Sequence, residues 1–549
     1  MESSSLKIQL ATVGCMEKLR VESDISLIEK KGVTLKNLRH RFQLVIKNMQ
    51  VWALYNVRVE VSGDLKPFVS LGVIESVPAE NIFIGKTDDY YLETSGVYPD
   101  VIRPLSAGDI ILPPGAIRCL YVSVEPQGDL PIGVHKIGFS VFDGDNKLMG
   151  DISYELEVLP VSCDQADLKK TNWMHYDCIC RAHGVEPFSK GFYDVFDKYL
   201  AAYLRSGFNM LLTPLFTPPL DTFVGGERLT AQLVGVTKDS RGYSFDFSKL
   251  KEFLDFSLNR GIKYIEFSHL FTQWGGEHCP KIIAIVGGKE QRIFGWESDS
   301  LGEDYKAFLN AFLPELVAFI KAYNIADKCC FHLTDEPNDK HLDRYKSLKE
   351  LVKKNIGDLP IIDTLSNYEY YRQNLMDIPV PEVRHIGQFI DNGVKDAFVY
   401  YCCEPSDNYY SNRFLSMPLQ RTRVLGIQLY LSGVRGFLHW GFNFWNSGLS
   451  YRSIDPYSDT NAGGAFPAGD GFIVYPRLDG VNISLRSEIL SECFGDCDLL
   501  YTLEKKIGRA KVLEMLDNEH IEGFTTYPHS SKWHNEFIED IKRLIAKQD

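Results

Sequence analysis

The 549-residue chain has no uninterrupted apolar run approaching a membrane span. Its first residues, MESSSLKIQLATVGCMEKLR, lack a basic flank followed by an apolar core. No secretory signal is read there, and the expected compartment is cytoplasmic. A Lys/Arg-rich run is missing too: 59 basic residues stand against 73 acidic ones, a net charge of −14. Nucleic acid and anionic membrane surfaces are poor partners for such a chain. The twelve cysteines are scattered as singles and as neighbours such as Cys329-Cys330 and Cys402-Cys403, and no CxxC pair is matched by a second at zinc spacing. Reduced, mostly buried thiols are expected, with no metal site and no cofactor. Hydrophobic content of 44% and charged content of 24% are those of an ordinary globular protein of two or three domains. A homo-oligomer is left open.

Residues 6 to about 160 carry short strand patterns. FQLVIKN, VRVEVSG, CLYVSVEP, HKIGFSVFDG and ISYELEVLP alternate apolar and polar residues between Gly, Pro, Asn and Asp. This rhythm predicts an N-terminal all-β sandwich over 1–160. The polar stretch SCDQADLKKTN then leads into a cycle of strands and helices. WMHYDC, FNMLLTP, IKYIEFSHLF, CCFHLTDEP, LPIIDTLSN, FVYYCCEP, GFLHWGFNFW and FIVYP read as eight strands, with helical patterns near 191–206, 247–260, 304–323 and 484–495. Eight such units predict a (β/α)8 TIM-type barrel over 165–549, with its chemistry where strands end.

The fourth unit, CCFHLTDEPN, is the stretch around which the rest is arranged. Its apolar run ends in Asp335 and Glu336, and Pro337 stops it. Two carboxylates at a strand's lip raise each other's pKa and suit acid–base chemistry. The same pair would also suit the start of a helix, against the macrodipole. Polar and aromatic residues recur where the other strands stop: His175, His269, Trp274, Asn367, Tyr401, His439, Trp440 and Asn443. Aromatic faces with amides and imidazoles fit a polyhydroxylated ligand, so an oligosaccharide or glycoconjugate is the expected partner.

A glycosidase commonly uses two carboxyl groups, and the strand read as seventh, GFLHWGFNFWNSG, contains none. Substrate assistance is one remedy: the sugar's own 2-acetamido carbonyl attacks C1, and neighbouring carboxylates serve as acid/base and as orienting group. A loop carboxylate (Asp455, Asp459 or Asp470) is another, and a barrel that only binds carbohydrate is a third reading. HLTDEPN, with SHLFTQWG before it and GFLHWGFNFWN after it, resembles the catalytic barrel of glycoside hydrolase family 123, over roughly residues 165–545. The resemblance implies a retaining β-N-acetylgalactosaminidase with a β-sandwich ahead of its barrel. It implies Glu336 as general acid/base and Asp335 as the residue orienting the acetamido group. The loop blocks TPPLDTFVGGERLT and DPYSDTNAGGAFPAGDGF look like features of a distinct branch.

Overall fold

Alternation along a strand sends successive side chains to opposite faces, so a strand buried on both faces has cover on both. The strands His40–Asn48 and Ile117–Val124 are of this kind. A computed structural model, which describes residues 7–25, 28–80, 87–91, 95–106 and 110–548, shows how they are covered. They belong to a sheet ordered Ile8–Gly14, His40–Asn48, Ile117–Val124, Val69–Ala79, Gly96–Pro104. On one face, Phe42, Leu44, Ile46, Leu120 and Val122 pack with Ile137, Phe139, Val141 and Leu156 of a second, five-stranded sheet. On the other face, Val45, Cys119 and Tyr121 pack against Leu419, Leu485 and Ile489. These come from the helices Leu419–Arg423 and Leu485–Ile507.

The chain accordingly divides into two units: Met1–Ala166 with Ser406–Ser432 and Asn482–Asp549, and Asp167–Pro405 with Gly433–Val481. The expected assignment of everything after 165 to the barrel differs from this division. The later segments cluster with the sandwich because they bury its outer face, apolar at Val45, Cys119 and Tyr121 and charged at Arg41. Buried ion pairs fix the arrangement: Arg41 on Glu488 at 2.5 Å, and Arg486 on Asp100 at 2.8 and 3.0 Å.

The second unit holds eight parallel strands in chain order around a nearly closed barrel: Lys169–Asn172, Met210–Thr213, Tyr264–Phe267, Cys329–His332, Ile361–Thr364, Ile378–Val380, Phe398–Tyr400 and Gly436–His439. Strands one and eight pair along four residues, Lys169↔Gly436 to Asn172↔His439. Strands six and seven meet through Val383 N donating to Tyr400 O (2.9 Å) and Tyr400 N donating to Pro381 O (3.1 Å). Helices are long after strands one to four (Lys190–Arg205, Ser248–Asn259, Glu303–Ala322, Leu342–Ile356) and short after five and six (Tyr368–Arg372, Ile386–Asp391).

Two strand expectations are corrected. Ile378–Val380 is the sixth strand, so FVYYCC is the seventh and GFLH the eighth. FIVYP contributes no barrel strand; Tyr475–Arg477 lies in another sheet. Strand six escaped because Pro379 and Pro381 break a sequence reading, whereas a three-residue strand needs few donors. Two hairpins, Gly235–Asp239 with Gly242–Asp246 and Ile282–Val286 with Lys289–Phe294, form a small four-stranded sheet in the loops after strands two and three.

Candidate active site

Strand four ends at His332, and the next four residues are held on both sides. Leu270 and Phe271, after strand three, donate main-chain hydrogen bonds to His332 and Leu333 (3.2 and 2.9 Å), and Trp274 N donates to Asp335 O at 2.7 Å. From strand five, Asp363 accepts from Thr334 N at 3.2 Å, and Thr364 O accepts from Glu336 N at 3.1 Å. Glu336 adopts φ +44°, in the left-handed region that a non-glycine residue enters at a cost of about 1–3 kcal/mol. That reversal breaks the alternation of strand four, so neighbouring carboxylates can act on each other.

Asp335 is half-buried and Glu336 exposed, yet protein crowds both. Lost solvation, and next the charge of Glu336, push Asp335 up to about 8, although Thr364 donates its hydroxyl to Asp335 Oδ1. Glu336 is also raised by lost solvation. Tyr400 opposes this by donating to Glu336 Oε1 at 2.5 Å, and Glu382 adds to it. The pair thus holds a proton to higher pH than isolated carboxyls would, because two like charges cannot both be well solvated there.

Beneath the pair lies a buried polar layer that the sequence reading did not single out. Glu266 of strand three accepts from Trp173 Nε1 (2.9 Å) and Thr171 Oγ1 (2.8 Å) and bonds His332 Nε2. His332 Nδ1 faces Asp363 Oδ1 at 3.5 Å, and Tyr345 donates to Asp363 Oδ2 at 2.8 Å. Burial alone would lower the His332 pKa, but Glu266 and Asp363 together outweigh it and raise it to about 9. His332 is therefore an imidazolium under the site. Charged residues inside the apolar strands YIEF, CCFH and IIDT were the available signal.

His269 stacks on His332 at 4.4 Å and is fully buried, with no partner for either ring nitrogen. Burial and the His332 charge hold it neutral. Donor atoms of His269, His332 and Asp363 lie within 4.8 Å of one another. Stacked rings, however, do not aim two in-plane lone pairs at one point, and His332 already spends both nitrogens on carboxylates. The trio therefore reads as a charge layer rather than a metal centre.

The other expected site residues fall into two groups. Trp274 is exposed, at φ +59°, and its main chain bonds Asp335. Trp440 packs against the barrel-interior cluster that includes Tyr400 and donates its indole N–H to Asp470 Oδ2 at 3.2 Å. The remainder are occupied in holding the scaffold. His175 accepts at Nδ1 from Arg228 (3.1 Å) and bonds Trp440 O through Nε2 (3.0 Å), while burial and Arg228 lower its pKa to about 3. Asn443 clamps the main chain of His175, with Oδ1 accepting from its N (2.9 Å) and Nδ2 donating to its O (3.0 Å). His439 is fully buried, with Nε2 3.3 Å from Asp470 Oδ1. Asn367 caps a short helix through Glu369 N (2.8 Å) and reaches Asp339 at 2.5 Å. Tyr401 is buried against Phe437 and His439. Its neighbour Tyr400 is the tyrosine that touches Glu336.

With strand seven now Phe398–Tyr400, Tyr400 occupies its end. Glu404, four residues on, is paired with Arg384 at 2.7 Å, and Arg384 also grips Glu382 at 2.7 Å. Of the loop carboxylates, Asp470 is fully buried between His439 and Trp440, and Asp455 and Asp459 accept main-chain N–H groups in turns. Among the described residues, no helix is long and apolar enough to cross a membrane.

Comparison with known proteins fits this geometry. No curated protein matches the chain by sequence. A family 123 glycoside hydrolase from Clostridium perfringens has a similar structure, with TM-score 0.74, 15% identity and 98% of each chain covered. A β-D-glucuronidase from Dictyoglomus thermophilum aligns at TM-score 0.34 and 9% identity, covering 90% of this chain and 98% of its own. A family 2 β-galacturonidase from Eisenbergiella tayi aligns at 0.32 and 12%, covering 83% and 69%. Residues 173–503, more than half of the chain, match the profile described as glycoside hydrolase 123, catalytic domain. The chain belongs to glycoside hydrolase family 123: it is a glycosidase, and its substrate is a carbohydrate.

Proposed function

We propose that the protein is a retaining exo-β-N-acetylhexosaminidase that prefers galactosamine and uses the 2-acetamido group of its substrate as nucleophile. The observation that carries this reading is the adjacent pair Asp335 and Glu336, held with raised pKa values at the end of strand four while strand seven ends in Tyr400. Glu336, whose pKa lost solvation raises, gives its proton to the leaving oxygen. Asp335 holds the acetamido N–H and shares the positive charge that grows on nitrogen as the oxazoline closes. His332 lies beneath as a fixed positive charge and draws Asp335 towards ionisation when the substrate's cationic centre arrives. Water, deprotonated by Glu336, then opens the oxazoline from the same face, so configuration is retained. The similar Clostridium perfringens structure is described in terms of glycolipid glycan hydrolysis, which supports a glycan substrate here.

Comparing 2-acetamido with 2-hydroxy aryl glycosides tests the reading: only the former should turn over, and a thiazoline analogue should inhibit far more tightly than the product sugar. A covalent glycosyl adduct on any Asp or Glu, or an inverted product in early NMR spectra, would overturn it.

A further inference from the structure

Three loops at the barrel's C-terminal end are tied together next to Trp274. Gln273 Oε1 accepts from Asp221 N at 2.6 Å. Asp221 Oδ2 accepts from Leu449 N at 2.9 Å, and Asp221 O accepts from Ser450 Oγ at 2.7 Å. Phe223 N in turn donates to Leu449 O at 3.1 Å. Asp221, Trp274, Leu449 and Ser450 all hold left-handed φ without being glycine. Such strain persists only where its surroundings enforce it, and here mutual hydrogen bonds do so.

This knot presents an aromatic surface. Phe223 and Tyr451 stack at 4.5 Å, and Tyr451 remains 66% exposed. Beside them runs an open groove of about 530 Å³, lined by Leu449, Tyr451, Arg452, Gly463 and Ala465. Two chains of contact run from its lining to residues at the strand ends. One passes through Asp221 and Gln273 to Trp274, whose amide bonds Asp335. The other passes through Phe466, the neighbour of Ala465, to Trp440 at 5.1 Å. An exposed Tyr451 ring backed by the half-buried Phe223, with Arg452 lining the same groove, matches a pyranose, whose CH face stacks on the ring while its hydroxyls accept from arginine.

We infer that this groove is the leaving-group subsite, where Tyr451 and Arg452 hold the sugar that follows the scissile bond. The inference rests on the hexosaminidase reading above. It assigns the loop blocks after strands two and eight a role in choosing the aglycone, separate from the chemistry at Asp335 and Glu336.

The test compares two substrates of the full chain. One is β-N-acetylgalactosaminyl fluoride, whose departing fluoride reaches nothing in the groove. The other is a panel of disaccharides in which the same sugar is linked to a second hexose. Tyr451→Ala should lower the disaccharide-to-fluoride ratio of kcat/KM about tenfold, the scale of one lost ring contact. Arg452→Ala, on a mostly exposed side chain, should lower it in the same direction. Tyr451→Phe, which keeps the ring, should preserve the wild-type ratio. An unchanged ratio in both alanine variants would overturn the subsite. A wild-type protein that cleaves neither substrate would instead overturn the hexosaminidase reading, and the subsite with it.

Discussion

Replacing Tyr400 by Phe removes one hydroxyl and leaves the ring in place among Phe398, Leu438 and Trp440. The hydroxyl donates to Glu336 Oε1 at 2.5 Å. A hydrogen bond to a charged acceptor contributes about 1.5–3 kcal/mol, and the lower end applies because Glu336 is open to solvent. The bond favours the ionised form, so its loss raises the Glu336 pKa. One pKa unit corresponds to about 1.4 kcal/mol, so the expected rise is about one unit. Glu336 must be protonated to act as an acid, hence activity falls as pH climbs through its pKa. In Tyr400→Phe this basic limb of the kcat/KM profile should move about one unit towards higher pH. The assay is a pH–rate profile on a 2-acetamido glycoside with a poor leaving group, run beside one with an activated leaving group. A basic limb that stays put, or moves down, would show that Tyr400 does not stabilise the charged form of the acid.

Glu336→Gln should lose roughly 10²–10⁴-fold on poor leaving groups and much less on activated aryl glycosides, read by steady-state kinetics. Asp335→Asn should lower kcat more than it raises KM, because charge sharing matters most in the transition state. The same substitution should raise thermal stability above about pH 8 and change it little at pH 4. The folded pKa of Asp335 is raised above its unfolded value, so the native state loses stability as pH climbs from 3.8 to about 8, and Asn abolishes that loss. His332→Phe leaves Glu266 and Asp363 without their cation and should cost about 3–5 kcal/mol in urea unfolding at pH 7. With its folded pKa raised from 6.5 to about 9, His332 stabilises the wild type fully below 6.5 and loses that contribution as pH rises to 9; a wild-type stability that climbs across this interval would contradict the imidazolium.

The ends of strands were legible in the sequence, but the direction of the side chains there was not. CCFHLTDEP announced its own termination, because Pro337 follows two carboxylates, and the strand stops at His332. Tyr400 and Tyr401 are indistinguishable as letters, yet one residue of strand parity sends Tyr400 to Glu336 and Tyr401 into the wall. His175, His439 and Asn443 sit at strand ends as expected, but they are engaged by Arg228, the Gly441 main chain and the His175 main chain. The first and last of those partners lie far along the chain, where no local pattern announces them. The layer of Glu266, His332 and Asp363 was visible as charge inside apolar strands, although only the fold brings three strands' charges together.

Strands six and seven join through two main-chain hydrogen bonds at Tyr400, where strands one and eight share four residue pairs. A barrel breathes first where its lacing is thinnest, and here that place adjoins Glu336 through Tyr400. Arg384 laces the same seam from outside, gripping Glu382 beyond strand six and Glu404 beyond strand seven. The Arg384–Glu404 pair is partly open to solvent and weakens with ionic strength, whereas Glu382 is buried. Salt thereby acts on local opening beside Glu336: amide exchange at Val383 and Tyr400 should quicken in 1 M salt, a concentration with a Debye length of about 3 Å, while exchange along strands one and eight should not.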